Sequence, residues 1–342
     1  GSMRRLIFAC AAFALLGVAA SAVAENITVA TVNVWSGLTY EGAFSVGTYE
    51  DRATRAFRFD LLSGGLASLG PDLVAVQEAN PLPDYANRLG EELGYDVVSD
   101  VRQGGVRIGP VGLPANLREG EALLAGPEHS LTLTAVKQLA GPGAGNVAAF
   151  QFGTGSQILA AQIQAEGRTV HVFTTRWTPS PQASRERLVD LVERYDEREI
   201  DGEELTRLME RAVEGSERRR REARETVVFI NELAGSEPVI LAGSLYALPD
   251  SDEIEVLRDA GFVDVWSVVG RGADYTWDAA TNANIIEHEL AAAGGERARY
   301  DYVFIRGEGI VARSASVIFS RPTYGVHPSD HYGLLAEIRI DP

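Results

Sequence analysis

The sequence predicts a layered sandwich of two β-sheets with helices, of the α+β or α/β class. Many short segments rich in β-branched residues recur along the chain, and several are continuously apolar, as is typical of buried strands. Helical patterns separate some of these segments. With 342 residues and 45% hydrophobic content, the chain can bury a large core, as one large domain or two smaller ones.

The predicted strands follow alternating or continuous apolar runs. In chain order they cover Ile27–Trp35, Leu73–Glu78, Tyr95–Val98, Glu121–Ala125, Ser130–Val136, Gln157–Glu166, Thr169–Thr175, Pro238–Gly243, Val263–Trp266, Tyr300–Ile305, Ala315–Phe319 and Leu334–Ile340. A two-residue turn is predicted at Gly167-Arg168, which would join two of these strands as a hairpin. Val101–Glu119 is rich in Gly and Pro and predicts an exposed loop or insertion, while Gly141–Gly145 predicts a turn.

Four segments predict helices, mostly because their apolar residues recur at helical spacing. They cover Asp51–Leu69, Pro83–Leu93, Ala183–Leu233 and Ile254–Ala260. The third segment is charge-dense and is broken at Asp201-Gly202, and Asp250 and Asp252 are expected to cap the fourth. The basic run Arg218–Arg221 in the third segment favours a solvated helix face, and the alternative is a patch for an anionic partner.

The first 24 residues predict a cloning scar followed by a secretory signal. Gly1-Ser2 precedes Met3, and two arginines then lead into an apolar run from Leu6 to Ala20. Small residues follow at the spacing of a signal-peptidase site, which predicts cleavage after Ala24 and a periplasmic or extracellular protein. The alternative, a membrane anchor, is disfavoured because the apolar run is short for a membrane span.

The net charge of −17 restricts the class of partner. A protein that grips nucleic acid through a broad basic face needs an excess of Lys and Arg, and this chain has the opposite balance. The charge does not exclude a nuclease that neutralises phosphate with a metal ion, and an acidic surface can also serve solubility.

Polar side chains stand at the ends of several predicted strands. They are Asn33, Glu78, Thr175-Arg176, Ser244, Asp301 and Asp330-His331. Each of them alone has an ordinary structural interpretation, such as a turn cap or an ion pair. Carboxylates can hold a hard cation, and a histidine can bind phosphate or transfer a proton. Since sheet enzymes build their sites at strand ends, the repetition of this pattern predicts a functional site.

Several motifs together resemble the endonuclease/exonuclease/phosphatase superfamily, which has the deoxyribonuclease-I-like fold. In family order they are Asn33 within Thr-Val-Asn-Val-Trp, Gln77-Glu78, Gly120–Leu124, Tyr275–Asp278, Asp301–Phe304 and Ser329-Asp330-His331. The resemblance implies an α+β fold, a four-layer α/β/β/α sandwich of two mixed β-sheets flanked by helices. It also implies a single domain over residues 25–342, in which a helical insertion at about 184–217 is unusual for the family.

The resemblance implies hydrolysis of phosphate esters assisted by Mg²⁺ or Mn²⁺. The residue matching Glu78 is the main metal ligand of the family, helped by those matching Asn33 and Asp330. The residue matching His331 contacts the phosphate or transfers a proton, and the one matching Asp301 orients that histidine. A carboxylate partner fixes the tautomer of an imidazole and raises its basicity, so these roles are physically coherent.

Three positions depart from the family pattern. The Gly-Asp-Phe-Asn motif falls at Gly243–Tyr246, so Ser244 replaces the Asp that orients water and Tyr246 replaces the Asn that binds phosphate. Thr175-Arg176 replaces a Thr-His pair. A serine cannot serve as a carboxylate base at neutral pH without its own activator. Arg176 and Tyr246 support anion binding more readily than activation of water.

Two functions therefore follow from the sequence. The first is a secreted, metal-dependent phosphoesterase with a non-standard site, acting on a phosphate mono- or diester such as a lipid headgroup, sugar phosphate or nucleotide. The second is a catalytically inactive family member that binds a ligand or a protein partner, with the helical insertion as a candidate surface for that partner. Duplex DNA is disfavoured as a partner by the acidic charge.

Overall fold

A computed structural model of the protein describes residues 24–39, 48–104, 107–108, 111–112, 118–139, 155–285 and 297–342. The predicted signal, apart from Ala24, and the predicted turn at Gly141–Gly145 lie outside these residues. No helix in the described ranges is both long enough and apolar enough to span a membrane.

Two six-stranded β-sheets form the centre of the fold. Their strands, numbered along the chain, are β1 (Glu25–Asn33), β2 (Leu73–Ala79), β3 (Asp96–Gly104), β4 (Arg118–Ala125), β5 (Thr132–Leu139), β6 (Ser156–Ala165), β7 (Arg168–Arg176), β8 (Val239–Ser244), β9 (Val263–Asp264), β10 (Asp301–Arg306), β11 (Ile310–Ile318) and β12 (Gly333–Ile340). Sheet I has the strand order β11-β12-β1-β2-β4-β3, and sheet II has β9-β10-β8-β7-β6-β5.

Both sheets are mixed. The pairs β1–β2 and β7–β8 are parallel, and the other neighbouring strands are antiparallel. Short two-stranded ribbons accompany the sheets: Leu38–Thr39 with Thr48–Tyr49, Arg107–Ile108 with Val111–Gly112, and Trp277–Asp278 with Arg297–Ala298. Since parallel neighbours end at the same edge of a sheet, the last residues of β1 and β2 lie side by side, as do those of β7 and β8.

Helices accompany the two sheets, and most of them cover the outer faces. They are α1 (Arg52–Leu69), α2 (Asp84–Leu93), α3 (Arg185–Asp196), α4 (Gly202–Ala234), α5 (Asp252–Asp259) and α6 (Val265–Val269), with a 3₁₀ turn at Pro127–His129. The carboxylates of Asp51 and Asp201 accept backbone N–H groups in the first turns of α1 and α4, which fixes where these helices begin. Helix α3 and the first half of α4 cover the interval 184–217.

Three apolar layers hold the elements together, and they confirm the four-layer sandwich. Val29 and Ile240 belong to the layer between the sheets. Leu62 of α1 packs on the outer face of sheet I, while Ile230 of α4 and Leu257 of α5 pack on the outer face of sheet II. Full burial of such a side chain stabilises the fold by about 1.5–3 kcal/mol.

The β6–β7 hairpin turns at Glu166-Gly167. Ala165 pairs with Arg168, and the two turn residues have φ angles of 48° and 74°. Left-handed conformations at both central residues are characteristic of a type I′ turn, whose twist matches the flanking strands. The turn predicted at Gly167-Arg168 is therefore wrong by one residue.

The segment around α5 and α6 also differs from the sequence prediction. Strand β9 ends at Asp264, whose carboxylate accepts the N–H of Trp266 at 3.1 Å and so begins α6 where a strand was predicted. Ser251 caps α5, and neither Asp250 nor Asp252 does so. In both places a short side chain that accepts a backbone N–H decides the local structure.

The basic run Arg218–Arg221 lies on α4 and is partly inside the fold. Arg219 is fully buried and donates to the carbonyl oxygen of Ser180 at 2.8 Å. Arg220 pairs with the carboxylate of Asp252. The prediction of a solvated face is therefore wrong for Arg219. Its hydrogen bond to Ser180 connects α4 to the segment that follows β7.

The interval Val101–Glu119, predicted as an exposed loop, begins and ends inside strands. Within β3, Arg102 is fully buried and its Nε donates to Glu121 of β4 at 3.0 Å. Its Nη1 donates to the carbonyl oxygen of Gly155 at 2.5 Å. A buried guanidinium needs such partners, and the sequence pattern of a Gly-rich segment does not reveal them.

A glycine at position 243 is required by the close approach of β7 and β8. A Cβ atom on Gly243 would lie 2.1 Å from the carbonyl oxygen of Thr175. We expect Gly243→Ala to lower the free energy of unfolding by roughly 1–3 kcal/mol or more, because backbone has to shift. Gly64→Ala on α1, where a Cβ would meet no atom within 4 Å, is the control and should be neutral or stabilising by up to about 1 kcal/mol. Urea denaturation of both variants measures this, and equal midpoints would contradict the prediction.

Candidate functional site at one edge of the two sheets

Sheet II brings three of the predicted site residues into one row. Arg176 at the end of β7 pairs with Ser244 at the end of β8, and Ser244 pairs with Asp301 at the start of β10. All three are buried. The parallel β7–β8 pair and the antiparallel β8–β10 pair therefore place these side chains at a single edge.

Sheet I contributes the remaining groups from the facing edge. Asn33 ends β1 and pairs with Gln77 near the end of β2, and Glu78 follows. Asp330 and His331 precede β12, which runs antiparallel to β1 and so begins where β1 ends. Residues predicted from strand ends thus converge across the sandwich.

A β-bulge directs the Glu78 side chain into the site. The register of β2 against β4 shifts between Val76 and Ala79, and Glu78 has a φ of 58°. Such a conformation is unfavourable for a non-glycine residue, and bulges commonly redirect a side chain next to a functional site. Trp35 and Tyr246, which flank the same site, also have positive φ angles, of 50° and 48°.

One oxygen of Glu78 accepts three hydrogen bonds from the protein. Its Oε1 receives Asn33 Nδ2 at 2.8 Å, Arg176 Nε at 2.9 Å and the Tyr246 hydroxyl at 2.8 Å. Burial alone would raise the pKa of Glu78, but the Arg176 guanidinium, His331 and Asn33 outweigh it and hold that pKa at about 2. Glu78 is therefore an ionised carboxylate in a buried ion pair.

Tyr246 joins the two halves of the site. Its hydroxyl lies 3.2 Å from Asn33 Nδ2 and 3.2 Å from His331 Nε2, in addition to its bond to Glu78. The Arg176 guanidinium lies over its ring, 5.4 Å from the centroid. Burial, and then the negative charge of Glu78, raise the pKa of Tyr246 well above its usual value. The phenol therefore stays protonated and can donate a hydrogen bond at neutral pH.

Asp301 holds His331 and is itself held by Ser244. His331 Nδ1 lies 2.7 Å from Asp301 Oδ2, while the Ser244 hydroxyl donates to Asp301 Oδ1. Burial lowers the pKa of His331, but the ion pair with Asp301 and the nearby Asp330 and Glu78 raise it to about 9. His331 is therefore an imidazolium at neutral pH, suited to contact an anion or donate a proton rather than accept one.

Asp330 is half-buried and lies close to two charged groups. Burial, with Glu78 as a repulsive neighbour, raises the pKa of Asp330 to about 6, against the attraction of His331. The segment is fixed from outside, because Asn282 Nδ2 donates to the carbonyl oxygens of Ser329 and Asp330, both at 2.9 Å. The loop that carries the Asp-His pair is thus pre-organised.

Several residues that support the site were not predicted as site residues from the sequence. The hydroxyl of Thr276 accepts the N–H of Asp301 at 3.1 Å, and Asn284 donates to the carbonyl oxygen of Ser329 at 3.1 Å. Gln77 donates to Thr174 of sheet II at 2.9 Å. The first two lie in or just after the Tyr275–Asp278 motif, a signal that could have identified them.

Comparison with known proteins identifies the family. The model of the Endonuclease/Exonuclease/phosphatase family matches residues 30–331, most of the chain. The chain belongs to the endonuclease/exonuclease/phosphatase family. No curated protein matches the sequence.

Solved structures share the fold at low sequence identity. An endonuclease/exonuclease/phosphatase from Bacteroides vulgatus is 16% identical with a TM-score of 0.61, over 93% of this chain and all of that one. A family protein from Bacteroides thetaiotaomicron is 13% identical with a TM-score of 0.60, over 94% of this chain and 100% of that one. Danio rerio TDP2 in complex with a single-strand DNA product is 18% identical with a TM-score of 0.58, over 92% and 99% of the two chains. The chain therefore has a phosphoesterase-like fold.

Members of this family typically depend on a divalent metal ion, and the donor set tests whether this chain fits one. Oε1 of Glu78 is already engaged by three donors, one of them the guanidinium of Arg176. The amide oxygen of Asn33 accepts the N–H of Trp35 at 3.0 Å, so its NH₂ group faces Glu78. A cation beside Glu78 Oε1 would meet N–H and O–H donors and a positive charge, so Glu78 Oε1 and Asn33 as arranged do not fit Mg²⁺.

The raised pKa of His331 predicts a pH dependence of stability. A histidine whose pKa rises from 6.5 to about 9 on folding stabilises the fold fully below pH 6.5 and loses that contribution as the pH rises through 9. We expect the free energy of unfolding to fall across this window by on the order of 1–3 kcal/mol. The fall should be largely absent in His331→Gln.

Urea denaturation at pH 6 and pH 9 measures this effect. Asp330, whose pKa rises from 3.8 to about 6, is still titrating at pH 6, so the contribution of His331 is read from the difference between the parent and His331→Gln. An equal change in stability in the parent and in His331→Gln would show that His331 is not the responsible group.

Proposed function

We propose that this protein binds a phosphate ester at the edge formed by Glu78, Arg176, Tyr246 and His331, without the metal-assisted turnover of its family. One observation carries the proposal: Glu78 Oε1 accepts hydrogen bonds from Asn33, Arg176 and Tyr246. A guanidinium supplies beside Glu78 the positive charge that a metal ion would supply. Arg and imidazolium groups both recognise phosphate oxygens.

The chemistry of the remaining groups supports binding over hydrolysis. The Ser244 hydroxyl donates a hydrogen bond to Asp301, and Ser244 provides no carboxylate to orient a water molecule. His331 is protonated at neutral pH through its ion pair with Asp301, so it would contact phosphate oxygens rather than deprotonate water. Tyr246 offers a second donor to the same anion.

The ligand class that fits is a small phosphate ester, such as a lipid headgroup, sugar phosphate or nucleotide. The whole chain carries a net charge of −17. That overall charge disfavours duplex DNA, and the single-strand DNA product in the TDP2 structure belongs to that protein.

Phosphoesterase activity with a non-standard site is the second candidate. The His331–Asp301 pair is intact, with 2.7 Å between Nδ1 and Oδ2, and favours proton donation to a leaving group. Burial raises the pKa of Asp330 to about 6, a value suited to a general base near neutral pH. This candidate requires Asp330, not Ser244, to take a proton from water.

Two further proposals concern the rest of the chain. Residues 1–24 would include a secretory signal that directs the protein to the periplasm or outside the cell. The interval 184–217 would be an insertion in a single domain over 25–342, and it offers a surface for a protein partner. Exposed apolar side chains on α3 support such a surface, since Val189 and Val192 are 47% and 41% exposed.

Restoring the family residues should restore activity. We expect the triple variant Arg176→His, Ser244→Asp, Tyr246→Asn to hydrolyse bis-p-nitrophenyl phosphate in Mg²⁺ or Mn²⁺ at least about 10²–10⁴-fold faster than the parent, because a water-orienting carboxylate returns and Glu78 is released. Release of p-nitrophenol under single-turnover conditions measures this. The same three changes combined with Glu78→Ala form the control and should give no gain.

The parent protein distinguishes the two candidate functions. Binding of a nucleotide or sugar phosphate in EDTA, measured by calorimetry, with turnover at the level of the buffer, supports the proposal. Turnover by the parent on the order of 1 s⁻¹ would overturn it in favour of the phosphoesterase. Loss of that turnover in Asp330→Asn would then assign the base.

A further inference from the structure

A second group of metal-ligating side chains lies at the opposite end of sheet I. Asp72, Glu128 and His129 each offer one ligand atom, and these atoms all lie within 4.8 Å of one another. Asp72 directly precedes β2, whose other end carries Glu78 six residues later. At about 3.3 Å per residue, the two positions are roughly 20 Å apart, so the group is separate from the phosphate site.

The imidazole of His129 is buried and aimed into this group. The residue is 2% exposed, and within the part of the chain that the structure describes its Nε2 has no hydrogen-bond partner. That nitrogen lies 3.5 Å from Glu128 Oε1 and 3.9 Å from Asp72 Oδ1. These distances are too long for direct hydrogen bonds but close to the separation of about 3.4 Å between two ligands of a tetrahedral Zn²⁺.

The surrounding contacts are those expected around metal ligands. His129 Nδ1 lies 3.4 Å from the carbonyl oxygen of Gln164 and 4.0 Å from Glu25 Oε1, while Nε2 faces the carboxylates of Asp72 and Glu128. The other oxygen of Asp72, Oδ2, accepts both the N–H and the hydroxyl of Thr28 at 2.6 Å. Metal-ligating histidines usually donate their second N–H to a carbonyl, and ligating carboxylates are themselves hydrogen-bonded.

We propose that Asp72, Glu128 and His129 form a binding site for a divalent transition-metal ion, with Zn²⁺ as the ion whose ligand preference fits one imidazole and two carboxylates. Oxygen-only ligand sets suit Ca²⁺ and Mg²⁺, whereas an imidazole ligand favours Zn²⁺. The ion would join the turn before β2 to the 3₁₀ turn after β4. Through the Gln164 carbonyl it would also connect sheet I to the β6–β7 hairpin of sheet II, so its role is structural.

Calorimetric titration of the full chain with Zn²⁺ tests the site. We expect one Zn²⁺ per chain and a higher unfolding temperature in its presence. Glu128→Gln should weaken this binding at least about 10-fold, and His129→Gln should abolish it, since each removes a ligand. Glu128 is mostly exposed, so its variant folds even if the buried His129 variant does not.

Glu237→Gln is the matched control, because Glu237 is similarly exposed and also lies beside a buried histidine, His171, at 2.6 Å. It should bind Zn²⁺ like the parent. The titrations are repeated in a Glu78→Gln background, which excludes binding at the phosphate site. The proposal is overturned if the parent takes up no Zn²⁺ at micromolar concentration, in which case the group is a histidine–carboxylate ion pair only. It is also overturned if Glu128→Gln and His129→Gln bind as the parent does.

Discussion

The hydrogen bonds accepted by the Glu78 carboxylate are the interaction on which the edge of the sandwich depends. This carboxylate is buried and ionised, and a buried charge without partners would cost several kcal/mol. Its donors come from both sheets: Asn33 from sheet I, and Arg176 and Tyr246 from the β7 and β8 ends of sheet II. The hydrogen bonds to Glu78 therefore link the two sheets at this edge. The bulge in β2 turns the Glu78 side chain towards these donors.

The three non-standard residues compensate one another. Ser244 places a hydroxyl donor where a second carboxylate would repel Asp301, and Arg176 gives Glu78 a counter-charge from within the protein. The Tyr246 hydroxyl lies between the Glu78 carboxylate and the His331 ring. The result is a hydrogen-bonded network in which the carboxylates at positions 78 and 301 are matched by a cation each. Charge balance of this kind stabilises the fold and leaves little demand for an external ion.

The sequence was sufficient for the fold and for singling out strand-end residues that the structure brings together, while their roles in a site stay predictions. Asn33, Glu78 and Asp301 could be singled out because each is a polar residue beside an apolar strand run. Burial and strand periodicity depend on neighbouring residues in the sequence, so such runs can be predicted without knowledge of the fold. Features that depend on tertiary contacts could not be predicted from the sequence. The burial of Arg219 requires knowledge of which helix face meets the sheet, and the hydrogen bonds of Glu78 require the distance between two sheets. The one-residue error at Glu166-Gly167 arose because strand register depends on the pairing partner as well as on the turn residues.

The backbone at position 246 has a conformation that its tyrosine side chain does not favour. In the family pattern this position is an asparagine, a residue that enters the left-handed region easily because its short amide bonds locally. Here a tyrosine has the same type of backbone conformation, with φ at 48°, although a bulky aromatic side chain disfavours it. The phenol is therefore held in this conformation by its contacts with Glu78, Asn33 and His331 rather than by the backbone preference of tyrosine. A single side chain with an unfavourable backbone conformation thus connects the hydrogen bonds of both sheets at this edge.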